Sequence, residues 1–291
     1  MKMILKGAHA KAQRRKEIQM SKVQPFFAPL RLCVSICLLS FAVGATAETT
    51  NDLSDAEIQG RNLAQKLLEQ TPATNLTQMG FLNIRDGKEI INASFNFAVR
   101  ITDTNWQALY SAYLINSNSM VRHEQVIQIV HAGGQQNHYE MSEVFYRQKN
   151  ETNVNVDVID HRTSRAIYDA NGMMVSFFGS DFWIADLGLE FFHWPEQKIL
   201  KKENRRSRAC NVLESTNPNP STNGYSRVVS WIDEESGGIV HAEAYDAQDK
   251  LLKEFDPKSF KKVNGQWELQ EMEIRNVQTG SRSRIEFDLK K

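Results

Sequence analysis

The clearest pattern in the chain is an alternation of apolar and polar side chains that begins at Ile91. Apolar side chains occupy the odd positions Ile91, Ala93, Phe95, Phe97, Val99 and Ile101. Polar or small side chains fill the positions between them. Because successive side chains of a strand point to opposite faces of a sheet, this pattern predicts a strand with one buried face. After a turn at 103–105, a second alternation begins at Trp106 and predicts the next strand.

Further alternations, separated by turn residues, predict that most of the chain is antiparallel sheet. The remaining candidates in the first half are Val121–Ala132, His138–Gln148, Asn153–Ile159 and Arg165–Tyr168. Those in the second half are Arg208–Glu214, Ser226–Asp233, Ile239–Asp246, Leu251–Phe255, Phe260–Val263, Trp267–Asn276 and Ser281–Leu289. Between Leu269 and Met272 the apolar phase slips by one position, which predicts a β-bulge.

One helix precedes the strands. Ser54 and Glu57 have the spacing of a capping box, and apolar residues recur at helical spacing up to Leu68. Thr71-Pro72 ends the pattern, because the residue before proline avoids the helical conformation. A mostly antiparallel sheet with one amphipathic helix is compatible with a sandwich, a barrel or a strongly curved open sheet.

The amino-terminal segment predicts export. The run Leu32–Val43 carries no charge, basic residues precede it, and Ala45-Thr46-Ala47 follows it. This order is typical of a cleavable signal peptide, and the run is shorter than the roughly 20 residues that cross a bilayer. We therefore expect residues 1–47 to be removed, with Met20 as a possible start, and residues 48–291 to form a single domain outside the cytoplasm.

Removal of the signal changes the charge and the cysteine chemistry. The full chain has 35 basic and 35 acidic residues, of which eight basic and one acidic lie within 1–47. The remaining 27 basic and 34 acidic residues give a net charge of −7, which argues against nucleic acid or an anionic membrane as the main partner. Cys33 and Cys37 leave with the signal, so Cys210 cannot form an intramolecular disulfide, and we expect it to be a buried thiol.

No motif in the sequence predicts a catalytic or metal site. Asp157, Asp160 and His161 are close in sequence, but alternation places Asp160 on the face opposite to the other two. Gly179-Ser180-Asp181 lacks the G-x-S-x-G spacing of a nucleophile elbow. Triad residues can lie far apart in a chain, so a hydrolase remains an alternative at this point.

Two clusters are candidates for binding. Seven aromatic residues lie between Phe177 and Trp194 and predict either core packing or the lining of an apolar cavity. The densest basic run, Arg205, Arg206 and Arg208, predicts a solvated hairpin connection or a contact with a phosphate headgroup or an acidic partner.

Several segments after Phe178 resemble the LolA-like outer-membrane lipoprotein-sorting proteins. The first, FGSDFWIADL at Phe178–Leu187, is similar to the G-[ST]-D-[FL]-[SW]-[YI]-x-D-L segment of that family. The others follow in the family's order: Arg206–Glu214, Tyr225–Asp233, Asp246–Lys253, Asn264–Trp267 and Met272–Gly280. Before Phe178 only the layout of signal, helix and alternating strands is similar.

The resemblance implies an incomplete antiparallel β-barrel, that is, a strongly curved open sheet whose concave face is partly covered by helices and holds acyl chains. It implies a periplasmic carrier of lipoprotein acyl chains or of a free lipid, with no catalytic residues and no cofactor. It also implies a membrane exporter or outer-membrane acceptor as a partner. We expect a monomer whose cavity candidates are Phe95, Phe97, Val99, Trp106, Tyr110, Phe182, Trp183 and Trp231. Two alternatives stay open: a periplasmic lipid hydrolase that uses the same cavity, and a docking module of an envelope complex that binds no lipid.

Overall fold

The computed structural model describes residues 53–115, 121–133, 135–151, 154–167, 173–263 and 266–289. The predicted signal, 1–47, lies outside these residues. Asn51–Lys291 forms one compact unit. Within the described ranges, no helix is long and apolar enough to span a bilayer.

The described residues contain thirteen strands, two α-helices and one 3₁₀ helix. In chain order they are α1 (Asp55–Leu68), β1 (Leu76–Asp86), β2 (Glu89–Ile101), β3 (Trp106–Ile115), β4 (Val121–His131), β5 (His138–Glu151), β6 (Val154–Ile167), α2 (Ile184–Leu187), the 3₁₀ helix (Glu190–His193), β7 (Glu196–Arg205), β8 (Arg208–Thr216), β9 (Tyr225–Asp233), β10 (Ile239–Asp246), β11 (Leu251–Val263), β12 (Gln266–Asn276) and β13 (Arg282–Phe287).

All thirteen strands belong to one antiparallel sheet. Its spatial order is β6-β5-β4-β3-β2-β1-β13-β12-β11-β10-β9-β8-β7. Two meanders, β1–β6 and β7–β13, are therefore joined side by side through the pairing of β1 with β13. In the described part of the chain β6 and β7 are the two edges of the sheet and do not pair with each other. The prediction of a mainly β fold with an open, curved sheet is confirmed.

The amino-terminal helix begins where the sequence predicts. The main-chain N–H of Ser54 donates to Glu57 Oε2 at 2.8 Å, which is the contact that the Glu57 side chain makes in a capping box, and the Ser54 hydroxyl donates to the same oxygen at 2.8 Å. Gly60 and Ala64 are its buried residues. A Cβ atom on Gly60 would lie 2.5 Å from the main-chain nitrogen of Lys198, so the absence of a side chain lets α1 approach β7 closely.

The strand register aligns the apolar positions of neighbouring strands on one face of the sheet. Phe95 on β2 pairs with Ala112 on β3, and Phe97 pairs with Tyr110. The predicted alternation is confirmed in the middle of the strand, where Ala93, Phe95 and Val99 are buried and the polar residues between them are not; Ile91 and Ile101, at its ends, are exposed. We call this apolar side the concave face.

The segment that links the two meanders packs against the concave face. We call its described residues, Met173–Trp194, the cover segment. Phe177, Phe182 and Ile184 in this segment share one hydrophobic cluster with Phe95 of β2 and Ile127 of β4. α1 packs on β7 and on the 3₁₀ helix, beside a second cluster. The cover segment, rather than α1, therefore covers Phe95.

Some strand boundaries differ from the prediction. β1 and β7 were not predicted as strands, because their alternation is interrupted by polar residues. The described parts of two predicted strands, 154–159 and 165–167, belong to one strand, β6, and the two segments predicted from Leu251 and Phe260 are both parts of β11. The bulge between Leu269 and Met272 is confirmed, since the register of β11 with β12 skips Gln270.

Candidate ligand-binding pocket

A cavity of about 180 Å³ lies between the cover segment and strands β9–β12. The sheet contributes Val228, Ile239, Ala242, Ala244, Phe255, Met272 and Ile274, and the cover segment contributes Phe182, Leu187, Leu189 and Phe191. Tyr110 reaches the cavity from β3. Because these side chains are aliphatic or aromatic, the cavity suits a hydrocarbon ligand.

The small residues of β10 leave room for this cavity. Ala242 and Ala244 alternate on the concave face, and they pair with Phe255 and Lys253 of β11. Large side chains at these two positions would fill the space under the cover segment. The small side chains of these two alanines therefore leave the space of the cavity open.

Lys253 is the cation in the wall of the cavity. It is only 2% exposed, and it lies on the same face of β11 as Phe255. Its Nζ donates to the main-chain oxygen of Asp181 at 2.7 Å and lies 3.4 Å from the centre of the Trp183 ring. Burial lowers the pKa of Lys253 to about 8, because the charged form loses its hydration.

Asp186 is the acidic partner of Lys253 in the same wall. Its carboxylate lies 3.6 Å from Lys253 Nζ and accepts hydrogen bonds from the hydroxyl of Tyr225 at 3.0 and 3.1 Å. The main-chain N–H of Trp183 also donates to it at 2.7 Å. Burial raises the pKa of Asp186, and the nearby Lys253 opposes that rise. Apart from this compensated pair, the lining is apolar.

The other meander also holds the cover segment by hydrogen bonds. Tyr110 on β3 donates to the main-chain oxygen of Leu187 at 3.2 Å. Tyr139 on β5 donates to Glu190 Oε2 at 2.7 Å, in a site where Glu190 is 7% exposed. Burial raises the pKa of Glu190 to about 7. The cover segment is therefore attached to both halves of the sheet.

The backbone of the cover segment adopts left-handed conformations at two non-glycine residues. Phe178 has φ 53° and Leu189 has φ 51°. Such conformations are disfavoured for residues that carry a Cβ atom, and they persist where surrounding contacts impose them. The main-chain N–H of Phe178 donates to Gln125 Oε1 at 2.5 Å, which is one such contact. The closed arrangement thus depends on packing against the sheet.

Two of the eight predicted cavity residues, Tyr110 and Phe182, line the pocket. Phe95 and Val99 are buried in the core on the same face, and Phe97 is half-buried with its ring 4.9 Å from that of Tyr110. The other two residues on this side do not line the pocket: Trp106 stacks on His131 at 3.7 Å, and Trp183 stacks on Tyr225 at 4.6 Å.

Trp231 requires a correction, because it does not face the cavity. On β9 the concave face is taken by Val228 and Ile232, and Trp231 points to the opposite side. There it packs with Cys210, Val212 and Val229 in a third cluster. The sequence pattern does not predict this arrangement. Because β9 is buried on both faces, alternation does not mark one side as polar. Cys210 is buried, as predicted.

The three candidate arginines lie at the β7–β8 hairpin, away from the lining of the pocket. Arg206 and Ser207 form its turn with positive φ angles. The guanidinium of Arg206 donates to Asp256 at 2.9 Å, and that of Arg208 donates to Glu235 at 3.0 Å. Arg205 lies over the ring of Trp231. The prediction of a hairpin connection is confirmed, whereas contact with a headgroup stays a prediction.

Sequence reasoning missed Lys253, Asp186 and Tyr225 as pocket residues, although all three lie within the segments that carry the family resemblance. Lys253 did give a signal: it occupies an in-phase position two residues before Phe255, where a buried strand face favours an apolar residue. A lysine at such a position indicates a buried cation that requires a partner. The partner, Asp186, is far away in the sequence and could not be identified.

The described residues contain no group of three His, Cys, Asp or Glu side chains that could hold a metal ion. The side chains of Asp157, Asp160 and His161 lie outside the described residues. Ser180 is buried, and its hydroxyl donates to the main-chain oxygen of Phe177 at 2.6 Å. This contact gives Ser180 a structural role in the turn of the cover segment.

The fold is an open sheet of thirteen strands with a linking segment packed on one face. Two solved structures share this fold at TM-scores above 0.5, and a third is similar at a lower score. A DUF1329 family protein from Desulfovibrio piger has a TM-score of 0.59 at 18% identity, covering 81% of this chain and 92% of that one. A domain assigned as an outer membrane lipoprotein-sorting protein, from Vibrio parahaemolyticus, has a TM-score of 0.57 at 16% identity, covering 80% and 92%. The LolA superfamily protein NE2245 from Nitrosomonas europaea has a TM-score of 0.46 at 12% identity, covering 81% and 93%.

The match found by sequence comparison covers a smaller part of the chain than the matches to solved structures. A family model whose description reads "uncharacterized protein" matches residues 161–290. No curated protein matches the chain. The chain therefore shares its fold with the DUF1329 family protein and with the lipoprotein-sorting domain, and the resemblance of its sequence to lipoprotein-sorting proteins predicted the latter.

Proposed function

We propose that the protein is a periplasmic carrier that binds the acyl chains of a lipoprotein or of a free lipid in the cavity between the cover segment and β9–β12. The observation that carries this proposal is the apolar lining of that cavity, in which the cation of Lys253 already contacts the acidic Asp186. The domain from Vibrio parahaemolyticus that shares the fold is assigned to lipoprotein sorting, which is consistent with such a ligand.

The physical basis is the transfer of hydrocarbon out of water. Each methylene group that moves from water to an apolar site gains about 0.8 kcal/mol. A carrier that moves an acyl chain between membranes has to supply this shelter along the way, since the chain otherwise stays in the bilayer. An aliphatic and aromatic cavity supplies it without a catalytic group or a cofactor.

The size of the cavity requires movement of the cover segment. A volume of about 180 Å³ is below the range of about 300–1,000 Å³ that is typical of pockets for drug-sized ligands. We propose that the cover segment moves away from β9–β12 when a long chain enters. Leu189, which lines the cavity in a left-handed conformation, favours such a movement, because release from the sheet lets its backbone relax.

The proposed cellular location rests on the predicted signal. We propose that residues 1–47 are cleaved during export and that residues 48–291 act in the periplasm as a monomer. A membrane exporter or an outer-membrane acceptor would deliver or receive the cargo.

Native mass spectrometry of residues 48–291, purified under mild conditions, tests the proposal. We expect adducts with the masses of phospholipids or fatty acids, and saturable uptake of a fluorescent fatty acid after their removal. Protein that carries no lipid and takes up no fatty acid would contradict the carrier function. Release of free fatty acid from phospholipid during the incubation would favour the hydrolase instead.

A further inference from the structure

The far end of the β11–β12 hairpin exposes two aromatic side chains. Trp267 is 69% exposed and Phe260 is 55% exposed. In the register of the hairpin Phe260 pairs with Leu269, and Lys262 pairs with Trp267. Residues two apart on a strand share a face, so these four side chains lie on the same face of the hairpin. Exposed aromatic residues on one face of a hairpin indicate a contact surface.

The end of this hairpin, positions 257–270, carries a net positive charge, although the chain after residue 47 is acidic as a whole. Positions 257–270 contain three lysines and one glutamate. Lys262 is exposed and faces the same side as the two aromatic residues. Lys258 contacts Glu273 at 2.9 Å, and Lys261 donates to the main-chain oxygen of Leu289. Lys262 is therefore the cation most accessible to an external anion at this surface.

Neighbouring strands add apolar side chains at the same end of the sheet. Gln78 of β1 donates to Glu268 at 3.2 Å, which brings the start of β1 beside the hairpin. Leu76 and Ile101, at this end of β1 and β2, are both exposed. The strands of the hairpin also lead to the pocket, because Phe255, Met272 and Ile274 line it.

We propose that this end of the β11–β12 hairpin, with Phe260, Lys262 and Trp267, docks on a bilayer that contains anionic lipid. Tryptophan is suited to the boundary between headgroups and acyl chains, because its ring is apolar and its N–H is polar. The exposed Lys262 beside it is attracted to the negative surface potential. Docking would bring strands that line the pocket to the membrane. It is a separate property from cargo binding, and either can exist without the other.

Co-sedimentation of residues 48–291 with vesicles tests the docking surface. The vesicles contain phosphatidylethanolamine with phosphatidylglycerol, or phosphatidylcholine alone as a neutral reference. We expect binding to the anionic vesicles that weakens about tenfold or more in the double variant Trp267→Ala/Phe260→Ala. Lys262→Glu should weaken it by about fivefold or more, and added salt should weaken it further.

Ile90→Ala is the matched control. Ile90 is 58% exposed and lies at the other end of β2, about 30 Å from Val99 at the rise of a strand. It should leave vesicle binding unchanged, and all variants should keep the melting temperature because the substituted side chains are exposed. Absence of vesicle binding by the unmodified protein, or equal binding by the double variant, would overturn the docking surface. Fatty-acid uptake is measured in a separate assay that tests the carrier function, and neither of these outcomes would change its result.

Discussion

Lys253 Nζ lies 2.7 Å from the main-chain oxygen of Asp181, so a buried ammonium on strand β11 holds the segment that closes the cavity. The same ammonium contacts the ring of Trp183 and the carboxylate of Asp186. Three contacts along six residues of the cover segment therefore converge on one side chain. The closed arrangement should depend on Lys253 more than on any single apolar contact.

Replacement of Lys253 by methionine should destabilise the protein by about 3 kcal/mol, because it leaves the buried Asp186 without its cation. Methionine keeps most of the volume of the side chain, so loss of packing contributes little. Urea unfolding followed by circular dichroism measures the change. Lys250→Met, at an exposed position of the preceding turn, is the control and should change stability by less than about 0.5 kcal/mol.

The double variant Lys253→Met/Asp186→Asn separates charge from packing. If the uncompensated carboxylate causes the loss, the second substitution should restore at least half of the stability. Equal instability of the single and double variants would show that the ion pair is not the cause.

Glu190→Gln should remove a pH dependence of stability between about pH 4.5 and 7. Burial raises the pKa of Glu190 in the folded protein to about 7, so the folded state holds a proton that the unfolded state releases at lower pH. The contribution of Glu190 is therefore complete below pH 4.5 and is lost as the pH rises to about 7, by roughly 3 kcal/mol. The neutral amide of glutamine accepts the hydrogen bond from Tyr139 at every pH.

The unfolding free energies of the two proteins have to be compared at each pH, because the ionisation of His131 changes stability with pH in the opposite direction. Burial lowers the pKa of His131 to about 4, which makes stability rise with pH over part of the same range. Unfolding free energies of both proteins at pH 5 and pH 7.5 give the test. Parallel pH profiles would mean that Glu190 is already ionised in the folded protein.

Gly60→Ala should destabilise the protein by about 1–3 kcal/mol without changing ligand binding. The added Cβ atom would lie 2.5 Å from Lys198 N and 2.6 Å from Gln197 C, and main-chain atoms cannot move aside without shifting α1. Gly133→Ala is the control, because a Cβ atom there meets nothing within 4 Å. Thermal melting and fatty-acid uptake measure the two effects. A loss of uptake at unchanged stability would give α1 a direct role at the pocket.

Local patterns in the sequence predicted the sheet and its first helix. Alternation from Ile91 indicated which side of β2 is buried, and the phase slip before Met272 indicated the bulge at Gln270. The capping residues located the start of α1. These features depend on residues close together in the chain, and that is why they are visible in one sequence.

The position of the pocket depends on contacts between distant residues and was only partly predicted. The pairing of β1 with β13 joins the two meanders, and no short pattern encodes it. Trp231, a predicted cavity residue, lies on the other face of β9, and this strand is buried on both faces, so burial does not distinguish them. Asp186 and Lys253 meet only when the cover segment lies across β11, although each belongs to a segment that resembles the LolA-like family.

Uptake of a fluorescent fatty acid by Ala242→Trp tests the central claim most directly. Ala242 faces the cavity, so an indole ring there should fill much of the space and lower uptake by at least about tenfold. Ala98→Trp, on the opposite face of β2, is the matched control and should bind like the unmodified protein. A folded Ala242→Trp protein with unchanged uptake would contradict the assignment of this cavity as the binding site.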